Sequence, residues 1–273
     1  MLRILIIFAV TAGGCGQSSW AEQSAGDANS VKAILDALSR KTSELKSYQC
    51  SIEYQFSQPI LESKTLRTGN LYYARLESGS RLRIEFDTLV QDDGPKQDYK
   101  ECYIFDGQWL THIDYQIKQV QKRQLAEANE PVDAFELAKR NFPIIGFSKS
   151  DDLKKQFEIT LKEQTQPVIP AQAGIQELIH LHLKVRPDSQ YKDDYKSVDV
   201  WVDTAKTGLP EKITATNING DIYEIGFIEP KVNQPVDEKV FEFTIPDGFG
   251  VETTPIKENK KTDRESTRSS DPG

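Results

Sequence analysis

His180 and His182 stand two apart in Ile179-His180-Leu181-His182-Leu183, so on a strand both imidazoles leave the same face. Joined by His112, they would supply three nitrogen ligands for a tetrahedral metal. No Cys or carboxylate falls at a matched spacing, so the reading adopted is an exposed strand face opposite Ile179, Leu181, Leu183 and Val185, with no metal. Asp92-Asp93 and Asp193-Asp194 lie in polar stretches, where paired carboxylates are solvated turns. Glu53 and Glu85 fall on strands but opposite the apolar positions, whereas general acid–base work needs such groups inside a cleft. The chain carries no G-x-S-x-G, no H-E-x-x-H and no phosphate loop. The expectation is therefore no catalytic residue, no cofactor and no enzymatic activity.

The elements that would position these groups follow from hydrophobic period. Ser197 to Phe227 alternates Val198, Val200 and Val202 with polar partners, breaks at Gly208-Leu209-Pro210, resumes at Ile213, and turns at Asn219-Gly220. That dipeptide predicts a type I′ hairpin. Upstream, Tyr48, Cys50, Ile52, Tyr54 and Phe56 alternate with Gln49, Ser51, Glu53 and Gln55. Strands are predicted over 65–76, 81–86, 99–105, 108–114 and 116–124, with Asp106-Gly107 as a tight turn. Residues 157–163 and 177–185 form a further hairpin. In its turn, QPVIPAQAGIQ (166–176) is read as a surface insertion resembling translated repeat elements. Val31, Ile34, Leu35, Leu38 and Leu45 recur at helical spacing, which predicts an amphipathic helix over 30–46 with Ser30 as N-cap. Pro131 to Phe142 and Asp151 to Phe157 read as helical pieces interrupting the sheet, the natural place for a lid. The fold class expected is mainly β: a large curved antiparallel sheet, half-open as a barrel and closed by an N-terminal helix and a helical lid insertion.

The two ends are of different character. Arg3 and the short apolar run Ile4–Ala12 read as an export signal, too short to span a bilayer. Two processing sites are open. Ala12-Gly13-Gly14-Cys15 resembles a lipobox, which would make 1–14 the signal and Cys15 a lipidated N-terminus. Ser19-Trp20-Ala21 offers ordinary cleavage after residue 21. Either way the protein is expected in the periplasm, membrane-anchored if Cys15 is lipidated. Residues 22–29 read as a linker, 30–251 as the domain, and 252–273, charged and Ser/Thr-rich, as a disordered tail. In an oxidising compartment Cys50 and Cys102 can pair or stay as two buried thiols. A net charge of −8 without a basic stripe excludes nucleic acid as a partner.

Read in order, the segments resemble the outer-membrane lipoprotein carrier family, the LolA/LolB-like proteins, as a divergent member. The resemblance rests on the helix 31–46 leading into the aromatic strand 48–56, on Gly69-Asn70-Leu71-Tyr72 with Arg81-Leu82-Arg83-Ile84-Glu85, and on Phe105-Asp106-Gly107 with Trp109 and Asp114. It continues through Val202-Asp203, Leu209-Pro210-Glu211-Lys212-Ile213, Asn233, and Val240 to Gly248. It implies a half-open barrel whose apolar face holds acyl chains of a lipid or acylated lipoprotein, with a membrane-bound donor or acceptor protein. The cavity-lining residues then expected are Leu35, Leu38, Tyr48, Ile52, Tyr54, Phe56, Tyr73, Ile84, Phe86, Trp109, Phe142 and Ile145. Lids would be 31–46 and 131–157. The family's lid-holding strand arginine has Arg81 or Arg83 as its nearest match. Relatives on this fold also imply an alternative function, an envelope-stress sensor or protein-interaction module.

Overall fold

Period-two patterning builds one twelve-stranded sheet in the computed structural model, which describes residues 19–77, 79–127, 130, 132–134, 150–162 and 178–256. The first meander is β1 (Ser47–Gln58), β2 (Ser63–Leu76), β3 (Gly79–Gln91), β4 (Gln97–Phe105), β5 (Trp109–Asp114) and β6 (Gln119–Gln124). The second is β7 (Phe157–Lys162), β8 (Leu178–Val185), β9 (Tyr195–Asp203), β10 (Pro210–Asn217) and β11 (Ile222–Val232). Each meander is antiparallel throughout, and β1 against β11 joins the two. A last strand, β12 (Gly250–Thr254), adds to β6 in parallel. The sheet begins at β12 and ends at β7 without closing, so the chain is a half-open curved sheet rather than a barrel.

One face, called inner here, carries the N-terminal helix. Helix α1 (Ser19–Ser43) seats Val31, Leu35 and Leu38 on Leu181, Leu183, Val198, Val200, Val202, Ile213 and Ala215 of β8–β10. Helix α2 (Ser150–Gln156) adds Leu153 to the same cluster. Leu45, Tyr48, Cys50, Tyr73 and Phe105 continue the inner core toward β4. The outer face of the first meander is covered instead by the strap 233–249. Its Phe249 and Ile245 pack on Cys102, Ile104, Ile113 and Val120.

Four expectations are corrected. The helix starts at Ser19 instead of at a Ser30 N-cap and runs through 22–29, because Gly26 alone does not stop a helix whose propagation costs less than a new nucleus. The β10–β11 turn is not type I′: φ is positive at Gly220 but not at Asn219. Asn217 instead closes a longer loop, accepting Gly220 N–H on its carbonyl (3.1 Å) and the N–H groups of Asn219 and Asp221 on its side chain (2.9 Å each). A type I turn followed by a glycine at positive φ is the three-residue alternative. Residues 252–254, taken for the start of a disordered tail, are strand. Backbone pairing to an open edge needs no apolar side chains, and all of β12 is exposed. Finally, β3 runs past Phe86 to Gln91 after a bulge opposite Thr68 and Gly69.

Cys50 lies on the inner face of β1 and Cys102 on the outer face of β4, with two strands between, and both are free. Burial pushes the thiols up, to about 12 at Cys50 and about 11 at Cys102, so neither is a ready nucleophile. The predicted helix over 131–142, the lid residues Phe142 and Ile145, the insertion 166–176 and Cys15 lie outside the described residues or nearly so. Among the described residues no helix is long and apolar enough to cross a membrane.

Candidate ligand-binding face

Registers place the even residues of β1 beside the odd residues of β2 and β11, all on the inner face. Ile52 lies opposite Phe227 and Gly69, Tyr54 opposite Ile225 and Arg67, and Phe56 opposite Tyr223 and Thr65. Aromatic pairs tie the strip together: Tyr48–Phe227 at 6.3 Å, Tyr54–Phe86 at 6.0 Å and Phe56–Tyr223 at 4.9 Å between ring centroids. Burial along it is graded. Tyr48, Ile52 and Tyr73 are buried, whereas Tyr54, Phe56 and Tyr223 are only partly buried. The strip thus opens toward the turn that joins β1 to β2, whose Ile60 and Leu61 are 85% and 67% exposed.

The expected lining residues divide into groups. Leu35 and Leu38 are 1% exposed and serve as packing under α1. Tyr48 and Tyr73 belong to the inner core. Ile52 and Phe86 are buried on the inner face, and Tyr54, Phe56 and Ile84 are partly exposed there. Trp109 does not. Leu110, its neighbour, pairs with Phe105 on the inner side, so Trp109 points outward and receives Lys122 Nζ over its ring at 5.5 Å.

The lid latch is also corrected. Arg81 and Arg83 alternate with Leu82 and Ile84 and so face outward, away from α1. Arg83 donates from Nη1 to the carbonyls of Val240 (3.0 Å) and Glu242 (3.2 Å) while pairing with Glu85, which fastens the C-terminal strap. The arginine that reaches both expected lids is Arg75, on the inner side of β2. It donates to the Ser43 carbonyl at the end of α1 (2.8 Å) and lies 3.5 Å from the Asp133 carboxylate, which also accepts from Tyr73 OH (3.1 Å). Its place just beyond Tyr73 in the inner alternation was the available signal. Arg75→Gln is expected to lower stability by about 1 kcal/mol. Hydrogen exchange should quicken first at the Glu44 and Leu45 amides. An unchanged exchange profile would remove the latch role.

Beside the aromatic strip sits a charged cluster that the sequence reading missed. Glu101, 5% exposed on β4, accepts from Arg67 Nη1 (3.1 Å) and Tyr99 OH (2.8 Å) on one oxygen, and from Tyr103 OH (2.7 Å) and His112 Nε2 (2.8 Å) on the other. The His112 ring stacks on Tyr103 at 4.3 Å, and Arg67 lies 5.1 Å from the Tyr99 ring centre. Burial pushes the Glu101 carboxyl up. Hydrogen bonds from His112, Tyr103 and Tyr99 and the charge of Arg67 outweigh it and hold the group at about 2.

His112 is therefore engaged far from the other two histidines, beyond β1 and β11. His180 Nε2 and His182 Nδ1 meet on the outer face at one oxygen of Asp199, at 2.7 and 2.9 Å. A carboxylate does therefore stand at matched spacing, contributed across the β8–β9 pairing rather than by nearby sequence. His180 stacks on Trp201 at 4.4 Å, and Lys212, whose Nζ lies 5.1 Å from the Trp201 ring centre, pairs with Glu224 at 2.6 Å. The face is polar and internally paired.

No protein-family model matches the sequence, and no curated protein matches it. Solved structures do resemble the fold. A putative outer membrane lipoprotein-sorting protein domain from Vibrio parahaemolyticus is 12% identical, covering 78% of this chain and 97% of that one at a TM-score of 0.35. The Mycobacterium tuberculosis lipoprotein LppX is 10% identical over 77% and 98% at 0.43. MucB is 16% identical at 0.46, over 79% of this chain but only 63% of its own. Likenesses this distant decide nothing about a ligand.

Proposed function

We propose that the protein is an exported carrier, not an enzyme, that shields acyl chains of a lipid or acylated lipoprotein on the inner face of its sheet. The observation that carries this reading is the graded aromatic strip. Tyr54, Phe56 and Tyr223 leave apolar area partly exposed in the hollow of a curved sheet, continuous with the buried core. A chain laid there leaves water at about 0.8 kcal/mol per buried CH₂, so a chain of ordinary length is strongly retained. No cofactor takes part, and release needs only an acceptor more apolar than the strip or displacement of α1. The sequence resemblance to the lipoprotein carriers and the export signal support the same reading.

The test is titration with a fluorescent fatty-acyl probe below its micelle concentration. Micromolar binding is expected, with Phe56→Asp weakening it at least tenfold. Phe56 is partly exposed, so this variant should keep its unfolding free energy within about 1 kcal/mol of the unsubstituted protein. Absence of probe binding, or equal binding by folded Phe56→Asp, would end the carrier reading.

A further inference from the structure

The strap 233–249 does more than cover the outer face. Between its residues 239–244 and the β3–β4 pair it leaves a cavity of about 700 Å³, within the range that holds a small ligand. Arg81 lines it. Its Nε is shut off from solvent and has no hydrogen-bond partner, and among the described residues its guanidinium makes no ion pair. Buried donors are almost always satisfied, and among the described residues only Arg67 Nε shares this state. Arg83, next but one along the strand, shows what satisfaction looks like here: every one of its nitrogens has an acceptor.

The cavity supplies further chemistry of two kinds. Lys239 is a second cation on its wall. The apolar part of the wall comes from Ile104 and Phe241, both 3% exposed, and from Phe243, 37% exposed at the mouth. Two carboxylates, Asp106 and Glu242, complete it. Asp106 already accepts the N–H groups of Gln108 (3.0 Å) and Trp109 (2.8 Å), and neither carboxylate is paired with Arg81. A site with a guanidinium that makes no ion pair among the described residues, and an ammonium beside two carboxylates, is complementary to a ligand that carries both signs.

We infer that this cleft is a second ligand site, separate from the acyl strip and on the opposite face, for a small zwitterion. Its oxyanion, a phosphate or carboxylate, is taken by the Arg81 fork with Lys239 alongside, and its ammonium group faces Asp106 and Glu242. Phe243 covers the apolar linker. Arginine is the residue suited to this task, because its fork matches the two oxygens of such a group. Phosphoethanolamine-type chemistry satisfies both ends, whether it comes from a lipid headgroup or from a free metabolite.

Isothermal titration of the full chain with glycerophosphoethanolamine, dihexanoylphosphatidylethanolamine and inorganic phosphate tests the assignment. Submillimolar binding of the first two is expected, with inorganic phosphate at least tenfold weaker. Tighter binding of the dihexanoyl lipid would mark a membrane lipid as the source, and equal binding a free headgroup. Arg81→Gln should weaken both zwitterions at least tenfold while leaving the fatty-acyl probe unaffected, so this site and the carrier reading fail separately. Should Arg81→Gln not fold, Phe243→Ala and Glu242→Gln, at partly exposed positions, are expected to weaken binding three- to tenfold. Zwitterion binding that is absent, no better than phosphate, or indifferent to these substitutions would overturn the site.

Discussion

Gly69→Ala is expected to destabilise the protein by about 3 kcal/mol or more, the range reserved for steric conflict inside a packed sheet. A methyl group on Gly69 would collide with the Glu85 carbonyl oxygen and lie 2.8 Å from Phe86 Cα. Those are backbone atoms, so no rotamer change relieves the clash. The crowding arises because β3 bulges between Phe86 and Thr88, where Gly69 pairs with Phe86, and brings its main chain over β2. The bulge in turn lets β3 continue to Gln91 with Leu89 beside Arg67. Gly226 provides the control. It also lies mid-strand, but a methyl group there meets nothing closer than 3.8 Å. Gly226→Ala should shift the urea midpoint little, or raise stability by about 0.5 kcal/mol through lost unfolded-state freedom. Equal midpoints for the two variants would refute the role assigned to the bulge.

Glu101→Gln comes second, at about 3 kcal/mol near neutral pH, because it leaves a half-buried Arg67 without its counter-charge. The loss should depend on pH in a defined sense. The Glu101 carboxyl is depressed in the folded protein, from an ordinary 4.5 to about 2. Its contribution is therefore fully present above about pH 4.5 and is lost as pH falls toward 2. Wild type and Glu101→Gln should differ most at about pH 6–7 and converge by about pH 2–3. Urea unfolding of both proteins across that range gives the comparison. A constant gap down to about pH 2.5 would mean that shape, not charge, is what Glu101 contributes.

The pattern of success in reading the chain has a physical cause. Where one face of a strand is buried and the other wet, as in β1, β8 and β9, alternation identified both the strand and its inward side. His180 and His182 fell on the outer face as the Leu181–Leu183 alternation required. In β4 and β5 both faces are covered, the outer one by Ile245 and Phe249 of the strap. Tyr99, Glu101 and Tyr103 then alternate with Lys100, Cys102 and Ile104, and apolarity no longer tells inside from outside. Trp109 was assigned to the wrong face and the Glu101 cluster passed unseen for that one reason. Arg75 and Arg83 were legible as strand arginines, but which segment each holds depends on where α1 and the strap come to rest. The parallel β12 had no pattern to show, since its pairing is main chain alone. Of the expected lid 131–157 only 132–134 and 150–157 fell on described residues, so Phe142 and Ile145 stay as expected lining positions.

The seam between β1 and β11 bears on how the chain is made. Nearly every other strand pairing joins sequence neighbours, so each meander can assemble from local hairpins within its own half. The register Tyr54 to Ile225 instead closes a loop of most of the domain. As the chain emerges N-terminus first, β1 has β2 on one side and bare hydrogen-bonding groups on the other until residues 222–232 arrive. A strand that carries Tyr48, Ile52, Tyr54 and Phe56 on one face is the kind that recruits wrong partners when its edge is open. The interval before the seam zips shut is the hazardous one, and slowing completion of the chain prolongs it.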